Sequence, residues 1–331
     1  MKRRLTGKRL LLAIIAGVML LLLGVCLLRW QALTHALDSQ RAAERWAGDS
    51  DLTYSQVSGF LPVGATFSET ERYAFYDALE RELQAAGLQQ PESGALYTDA
   101  WSGLGELSVS GSHGKATAQT VAVGGNFFFF HPLQLRCGNY LSTADIPHDL
   151  ALLDENLAFQ LFGALDVAGE TVTIDGAPYR VAGVVKTGDD PFTERIRGVA
   201  PLLFVYADRF PQIAPSCYEL VCVEPLRGFT AGVVRKSFPL HDGQLVENSR
   251  RWQPATLDDQ IWQLGSRAVS SDGVAYPWWE NAARIVDAHL ALLLVVIFLL
   301  ALFPAFCGVW LLIRLGRRGK QAWRVWRAER D

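Results

Sequence analysis

Residues 156–185 read NLAFQLFGALDVAGETVTIDGAPYRVAGVV. Leu157, Ala158, Leu161 and Phe162 recur on one face of a helix, with Asn156 as its expected cap and Gly163 as its stop. After Gly169, the β-branched run 171–174 meets Asp175-Gly176, and residues 179–185 resume a strand-like run. Two such runs flanking Asp-Gly predict a hairpin, because its turn needs residues that tolerate positive φ. Just upstream, the apolar residues 150–153 predict a short buried strand. The order is strand, helix, hairpin, which marks a mixed α and β domain.

Working toward the N-terminus, residues 124–128 read Gly-Gly-Asn-Phe-Phe and follow an expected strand at 117–123. The Gly- and Ser-rich stretch 102–114 predicts loops and hairpin turns. Ser68 and Glu71 have capping-box spacing. Behind them Tyr73, Tyr76, Leu79 and Leu83 predict an amphipathic helix ending near Gly87, its aromatics packed on a sheet. Residues 54–60 alternate as a strand before a Pro-Val-Gly turn.

At both ends lie long apolar runs, residues 10–28 and 290–313, with no charged residue in either. At 1.5 Å per residue each is long enough for a hydrocarbon core of about 30 Å. The first run exceeds the usual apolar stretch of a secretory signal, and residues 33–36 make a poor cleavage site. An uncleaved anchor is therefore expected. Pro304 and Gly308 admit a kink in the second run. Residues 276–279, Tyr-Pro-Trp-Trp, predict an interfacial aromatic belt before it. Trp323 and Trp326 among arginines fit either a helix lying on an anionic leaflet or an unstructured basic tail.

Lys2, Arg3, Arg4, Lys8 and Arg9 precede the first run; Arg314, Arg317, Arg318, Lys320, Arg324, Arg327 and Arg330 follow the second. Basic flanks stay cytoplasmic, so both termini are expected inside a plasma or inner membrane, and the central domain outside. The net charge of −3 conceals this polarity. Removing those twelve residues and the acids Glu329 and Asp331 leaves 19 basic against 32 acidic residues, about −13. So acidic an outer domain argues against a nucleic-acid partner. Membrane lipids are an expected contact. The expected organisation is a basic tail (1–9), a span (10–30), the outer domain (31–285), a second span (286–313) and a basic tail (314–331).

Chemistry-bearing patterns are sparse. Cys26 and Cys307 lie in the apolar runs; Cys137, Cys217 and Cys222 lie in the outer domain. A Cys217–Cys222 bridge would close a short loop, but spacing alone does not establish one. The six histidines are scattered and no Cys-x-x-Cys occurs, so no metal site or cofactor is expected. The acid pairs Asp189-Asp190 and Asp258-Asp259 could serve glycoside hydrolysis if opposed across a cleft, but neighbours in sequence seldom face each other so. Serines cluster in 266–272 without a Gly-x-Ser-x-Gly elbow. No catalytic, cofactor-binding or metal-binding residue is assigned, and the chain is not expected to be an enzyme. No phosphate-binding Gly-x-x-x-x-Gly-Lys-Ser/Thr loop is present either; Gly114-Lys115-Ala116 and Gly7-Lys8-Arg9 lack its first Gly and its hydroxyl.

The pattern Asn156-Leu-Ala158-x-x-Leu161-Phe162-Gly163, then Gly169-x-Thr171-Val-x-Ile174-x-Gly176-x-x-Tyr179-x-Val181-x-Gly183-Val184-Val185, resembles the periplasmic core domain of MacB/FtsX-type ABC transporter permeases. Asn126-Phe127-Phe128 and Gly138-x-Tyr140 resemble the approach to that segment. The resemblance implies an α+β extracytoplasmic domain between two transmembrane helices: a βαβ-rich subdomain with a small strand-rich one inserted at about 135–190. It also implies a non-catalytic permease-like subunit that couples a separate ABC ATPase to that domain. Such permeases usually carry three spans after the domain; this chain shows one, so another permease chain is an expected partner. A membrane-anchored sensor or adaptor, binding a peptide or envelope component without an ATPase, needs the same architecture.

Overall fold

The structure, a computed structural model, describes residues 7–89, 94–188, 190–261, 273–274 and 276–328. Helix α1 (Gly7–Thr34) leads through a short connection to α2 (Ala42–Ala47), strand β1 (Tyr54–Phe60) and helix α3 (Glu69–Ala85). Strands β2 (Tyr97–Ser110) and β3 (Lys115–Gly125) follow, then α4 (Phe127–Phe130), β4 (Gln134–Gly138) and β5 (Leu150–Asp154). Helix α5 (Glu155–Phe162), strands β6 (Thr171–Ile174) and β7 (Ala177–Lys186), α6 (Pro191–Arg197) and β8 (Leu202–Tyr206) complete the middle. The last part holds β9 (Cys217–Val223), α7 (Phe229–Ser237), β10 (Gln244–Glu247), α8 (Pro254–Ile261) and the long α9 (Trp278–Ala328).

One sheet joins all ten strands in the order β10-β1-β9-β2-β3-β8-β5-β7-β4, with β6 bridging β2 and β7. The pairs β3–β8 and β5–β7 are parallel and the rest antiparallel. Alternation along the strands sends side chains to two apolar faces. On one face α3 and α7 cover Val57, Tyr218 and Leu220, while α5 covers Leu107, Ala151, Leu153 and Val205. The other face, with Phe60, Val121, Leu152 and Phe204, packs against α2, α4 and the first turn of α9. The result is a mixed α/β domain of three layers between two apolar terminal helices.

The strand, helix and hairpin of 150–185 form as the sequence predicts. Asp175 and Gly176 take φ of 47° and 88°, the positive values the tight turn requires. Gly163 ends α5 in the left-handed conformation. The cap of α5 is Asp154, not Asn156: its carboxylate accepts from Leu157 N at 2.9 Å, and Asn156 lies inside the helix. An Asp one position ahead of the first turn outcompetes the Asn, since its charge also suits the helix dipole.

Ser68 and Glu71 make the expected capping box on α3. The buried face of α3 is Phe75, Leu79 and Leu83, whereas Tyr73 is 54% exposed. Residues 102–110, expected as loops, lie inside the 14-residue β2, paired with β3 from Ala100↔Gly125 to Ser110↔Lys115. The glycines there provide clearance. A Cβ on Gly103 would lie 2.6 Å from the Ile213 and Ala214 carbonyl oxygens, and one on Gly105 2.8 Å from the Ile213 side chain. Only residues 111–114 form the turn.

Both terminal helices are long and apolar enough to cross a membrane. Leu21, Leu28, Phe306 and Leu312 are each more than 65% exposed, as lipid-facing residues would be. The two helices pack on each other, and α9 continues through Pro304 to Ala328, carrying most of the basic tail as helix.

Candidate functional site: a buried polar joint at the root of the membrane helices

Before its apolar run begins at Leu290, α9 spends three turns inside the domain. Residues 276–279, expected as an interfacial belt, are instead part of the core. Trp279 is 2% exposed and packs on Phe127 and His131, and Tyr276 meets the ring of Phe60 edge-on at 5.5 Å. Contact with the sheet takes up the apolar surface that sequence alone assigns to the lipid interface.

On this root Glu280 and Asp287 stand seven residues apart, so they share one face of the helix. Both point at Arg251, which follows the short turn after β10. Its Nη1 and Nη2 donate to the two Glu280 carboxylate oxygens at 2.6 and 2.9 Å. Its Nε and Nη2 donate to Asp287 at 2.8 Å each. A further donation from Nη1 to Gln40 Oε1, at 3.4 Å, employs the fifth N–H of the guanidinium. Side-chain exposure is 4% for Arg251 and 1% for Glu280. Burial works against the Arg251 charge, but Asp287 and Glu280 outweigh it and hold the group above its ordinary pKa. Trp252 Nε1 also donates to Asp287, at 2.9 Å. Arg284 bonds Glu280 and Gln244 while its guanidinium lies over the Tyr276 ring at 3.6 Å. Beside the joint a cleft of about 370 Å³ is lined in part by Arg227, Arg235 and Arg250.

The same network reaches α1. Gln40, in the connection from α1 to α2, accepts from Asn248 Nδ2 at 2.9 Å. Gln56 on β1 donates to Ser39 O at 2.8 Å and accepts from Ala42 N at 2.9 Å. Ser58 Oγ lies 3.1 Å from Glu219 Oε1 and 3.0 Å from Asn248 Oδ1, so its single hydrogen serves one acceptor at a time. Glu219 on β9 in turn meets His131 Nε2. His131 is 2% exposed, packs on the rings of both Phe127 and Trp279, and its Nδ1 has no partner among the described residues. A continuous buried polar string thus runs from β1 and β9 to the outer ends of both membrane helices. Such networks specify one geometry, because every unpaired member would be costly.

Sequence reading singled out none of Arg251, Glu280 or Asp287. The available signal was an acid pair at i, i+7 immediately before a charge-free helical run. Other expectations place differently. Cys217 and Cys222 are both free and both buried on β9, and five positions apart they face opposite sides of the sheet, so no bridge forms. Desolvation pushes the Cys222 thiol up to about 12 and raises Cys217 strongly. Cys137 is also free. Asp190 is the N-cap of α6, accepting from Phe192 and Thr193 N; Asp189 and residues 266–272 lie outside the described residues. Among the described residues no group of three or more His, Cys, Asp or Glu could hold a metal ion.

Residues 10–210 match the family model of the MacB-like periplasmic core domain. The chain belongs to that family. Solved structures similar to this MacB-like domain share little sequence. The extracellular domain of the noncanonic ABC-type transporter YknZ from Gram-positive bacteria is 14% identical, with 58% of this chain and 96% of that one covered and a TM-score of 0.39. The periplasmic region of MacB from Actinobacillus actinomycetemcomitans is 15% identical, covering 61% and 92%, with a TM-score of 0.40. A domain of a putative permease protein from Porphyromonas gingivalis is 11% identical, covering 58% and 88%, with a TM-score of 0.34. No curated protein matches the chain. With two apolar terminal helices around a MacB-like domain, this is a membrane protein with an extracytoplasmic domain. Gln40 and His131 of the joint fall within the matched residues; Glu219, Arg251, Glu280 and Asp287 fall beyond them.

Proposed function

We propose that the chain is a non-catalytic, permease-like subunit of an ABC transporter or mechanotransmission complex, with both termini cytoplasmic. In this role a separate cytoplasmic ATPase drives the membrane helices and the outer domain carries the movement to a substrate or partner. A further permease chain is its partner in the membrane. The observation that supports this reading is the Arg251–Glu280–Asp287 joint. A domain merely tethered by its ends needs only a flexible linker. Here α9 enters the domain without a break and is held there by a fully hydrogen-bonded ion cluster, so a tilt of the helix is passed to the sheet as a rigid-body motion. The test is purification of the intact chain from its own membrane in mild detergent. An ABC ATPase should accompany it, together with a second permease chain. Recovery of the chain without any ATPase would overturn the proposal in favour of an anchored sensor or adaptor.

A further inference from the structure

The geometry points to a membrane-contact foot: α6 rests on the bilayer leaflet next to the domain, with Ile196 and Val199 among the lipid chains and Arg195 at the phosphates. This rests on the reading that α9 crosses the bilayer beyond Leu290.

Position comes first. Phe192 meets the ring of His289 at 5.8 Å, one residue before the apolar run. It packs against the cluster that holds Leu290, Val286 and Leu33, where the outer ends of both membrane helices meet. The charge-free run of 290–313 is about 36 Å long as helix, slightly more than a hydrocarbon core of about 30 Å. Its first turn therefore lies at the interface, and α6 lies beside that turn.

Exposure comes second. Phe192 and Ile196 are i, i+4 neighbours on one face of α6. Val199 continues the apolar patch just past the Gly198 C-cap. At one end the patch is covered by α9; at the other, Ile196 is 39% and Val199 81% exposed. The patch starts at His289, and Leu292, one turn further along α9, is 58% exposed in the apolar run, so that continuity names lipid as its occupant. Arg195, exposed next to Ile196 and beside the exposed Glu194, is placed for the headgroup region, where basic side chains are favoured.

Rigidity comes third. Asp190 caps α6 by accepting from Phe192 and Thr193 N at 2.9 and 2.8 Å. At the other end buried Arg197 donates to Ala200 O at 2.6 Å and lies 3.6 Å from Asp154, the cap of α5. The foot is therefore fastened to the sheet and to α9 at once, so that the bilayer itself becomes a surface against which the domain is braced.

The experiment places single cysteines at Ile196, Val199, Leu299 and Ala177 in the full chain, with Cys26, Cys137 and Cys307 replaced and the buried Cys217 and Cys222 kept. An environment-sensitive fluorophore on each reports quenching by nitroxide-labelled lipids in phosphatidylcholine–phosphatidylglycerol vesicles. Leu299 lies within the apolar run of α9, and Ala177 begins β7 at its far end, roughly 30 Å along the strand from Lys186. Emission at 196 and 199 should fall to an extent approaching that at 299, while 177 stays bright. If 196 and 199 behave like 177 while 299 is quenched, the foot does not touch lipid and the inference is overturned. If 299 itself stays bright, the span fails and the inference falls with it.

Discussion

Arg251 and Glu280, 29 residues apart in sequence, form a two-pronged ion pair in the interior, with N–O distances of 2.6 and 2.9 Å. One comes from the turn after the edge strand β10, the other from the first turn of α9. A buried pair of this kind need not raise stability over a well-packed apolar alternative, but it costs much to break. Its value here is geometric, since Asp287 and Gln40 give the guanidinium a single orientation.

Replacement of Arg251 by Met leaves Asp287 without a cation and Glu280 with Arg284 as its remaining one. A loss of about 3–5 kcal/mol is expected, read as a lower midpoint in denaturant unfolding of the detergent-solubilised chain. The triple variant Arg251→Met, Glu280→Leu, Asp287→Leu should recover much of that loss, because no buried carboxylate is left without a cation and Arg284 keeps Gln244. A triple variant as unstable as the single one would show that packing, not charge pairing, sets the cost.

Asp99 supplies a pH dependence with a defined sign. Burial raises its pKa, although Tyr76 and Tyr218 donate to its Oδ2 at 2.5 and 2.9 Å. The folded state then binds the proton more tightly than the unfolded chain does. Its contribution is full below the ordinary carboxylate range near pH 4 and is lost as pH rises through the higher folded value. Asp99→Asn should remove that decline from a plot of melting temperature against pH. An unchanged slope in the variant would assign the effect to other groups.

Cys217 and Cys222 should resist alkylation in the native protein, because thiolate formation is suppressed and both side chains are buried. Mass spectrometry after a brief iodoacetamide pulse should find both unmodified, and both should react once denaturant is added. Rapid modification under native conditions would contradict the placement of β9 in the middle of the sheet.

Gly103→Ala tests the clearance reading of β2. The added methyl meets two carbonyl oxygens at 2.6 Å, and backbone cannot swing away as a side chain can. A destabilisation of about 1–3 kcal/mol is expected. A variant as stable as the parent would show that the 213–214 segment yields readily.

Local order carried the sequence reading a long way. The Asp175-Gly176 hairpin, the Ser68–Glu71 cap and the apolar runs are decided by neighbours within a few residues, so sequence and structure agree on them. The family pattern across 156–185 is of the same kind, a string of turn glycines and strand spacing. Where reading failed, a distant segment had intervened. Glycines 103 and 105 suggest loops until residues 213–214 are seen lying across them. Tyr276 and Trp279 suggest a lipid interface until Phe60 and Phe127 are seen against them.

By itself, then, the sequence determined the membrane-spanning potential of both ends, the mixed α and β class and the family, because charge-free length and short-range periodicity are properties of contiguous residues. Only the tertiary structure decided that α9 is seated in the domain rather than hung from it. Arg251, Glu280 and Gln40 are single polar residues with no pattern of their own, and burial and pairing, which give them meaning, exist only once the chain has folded.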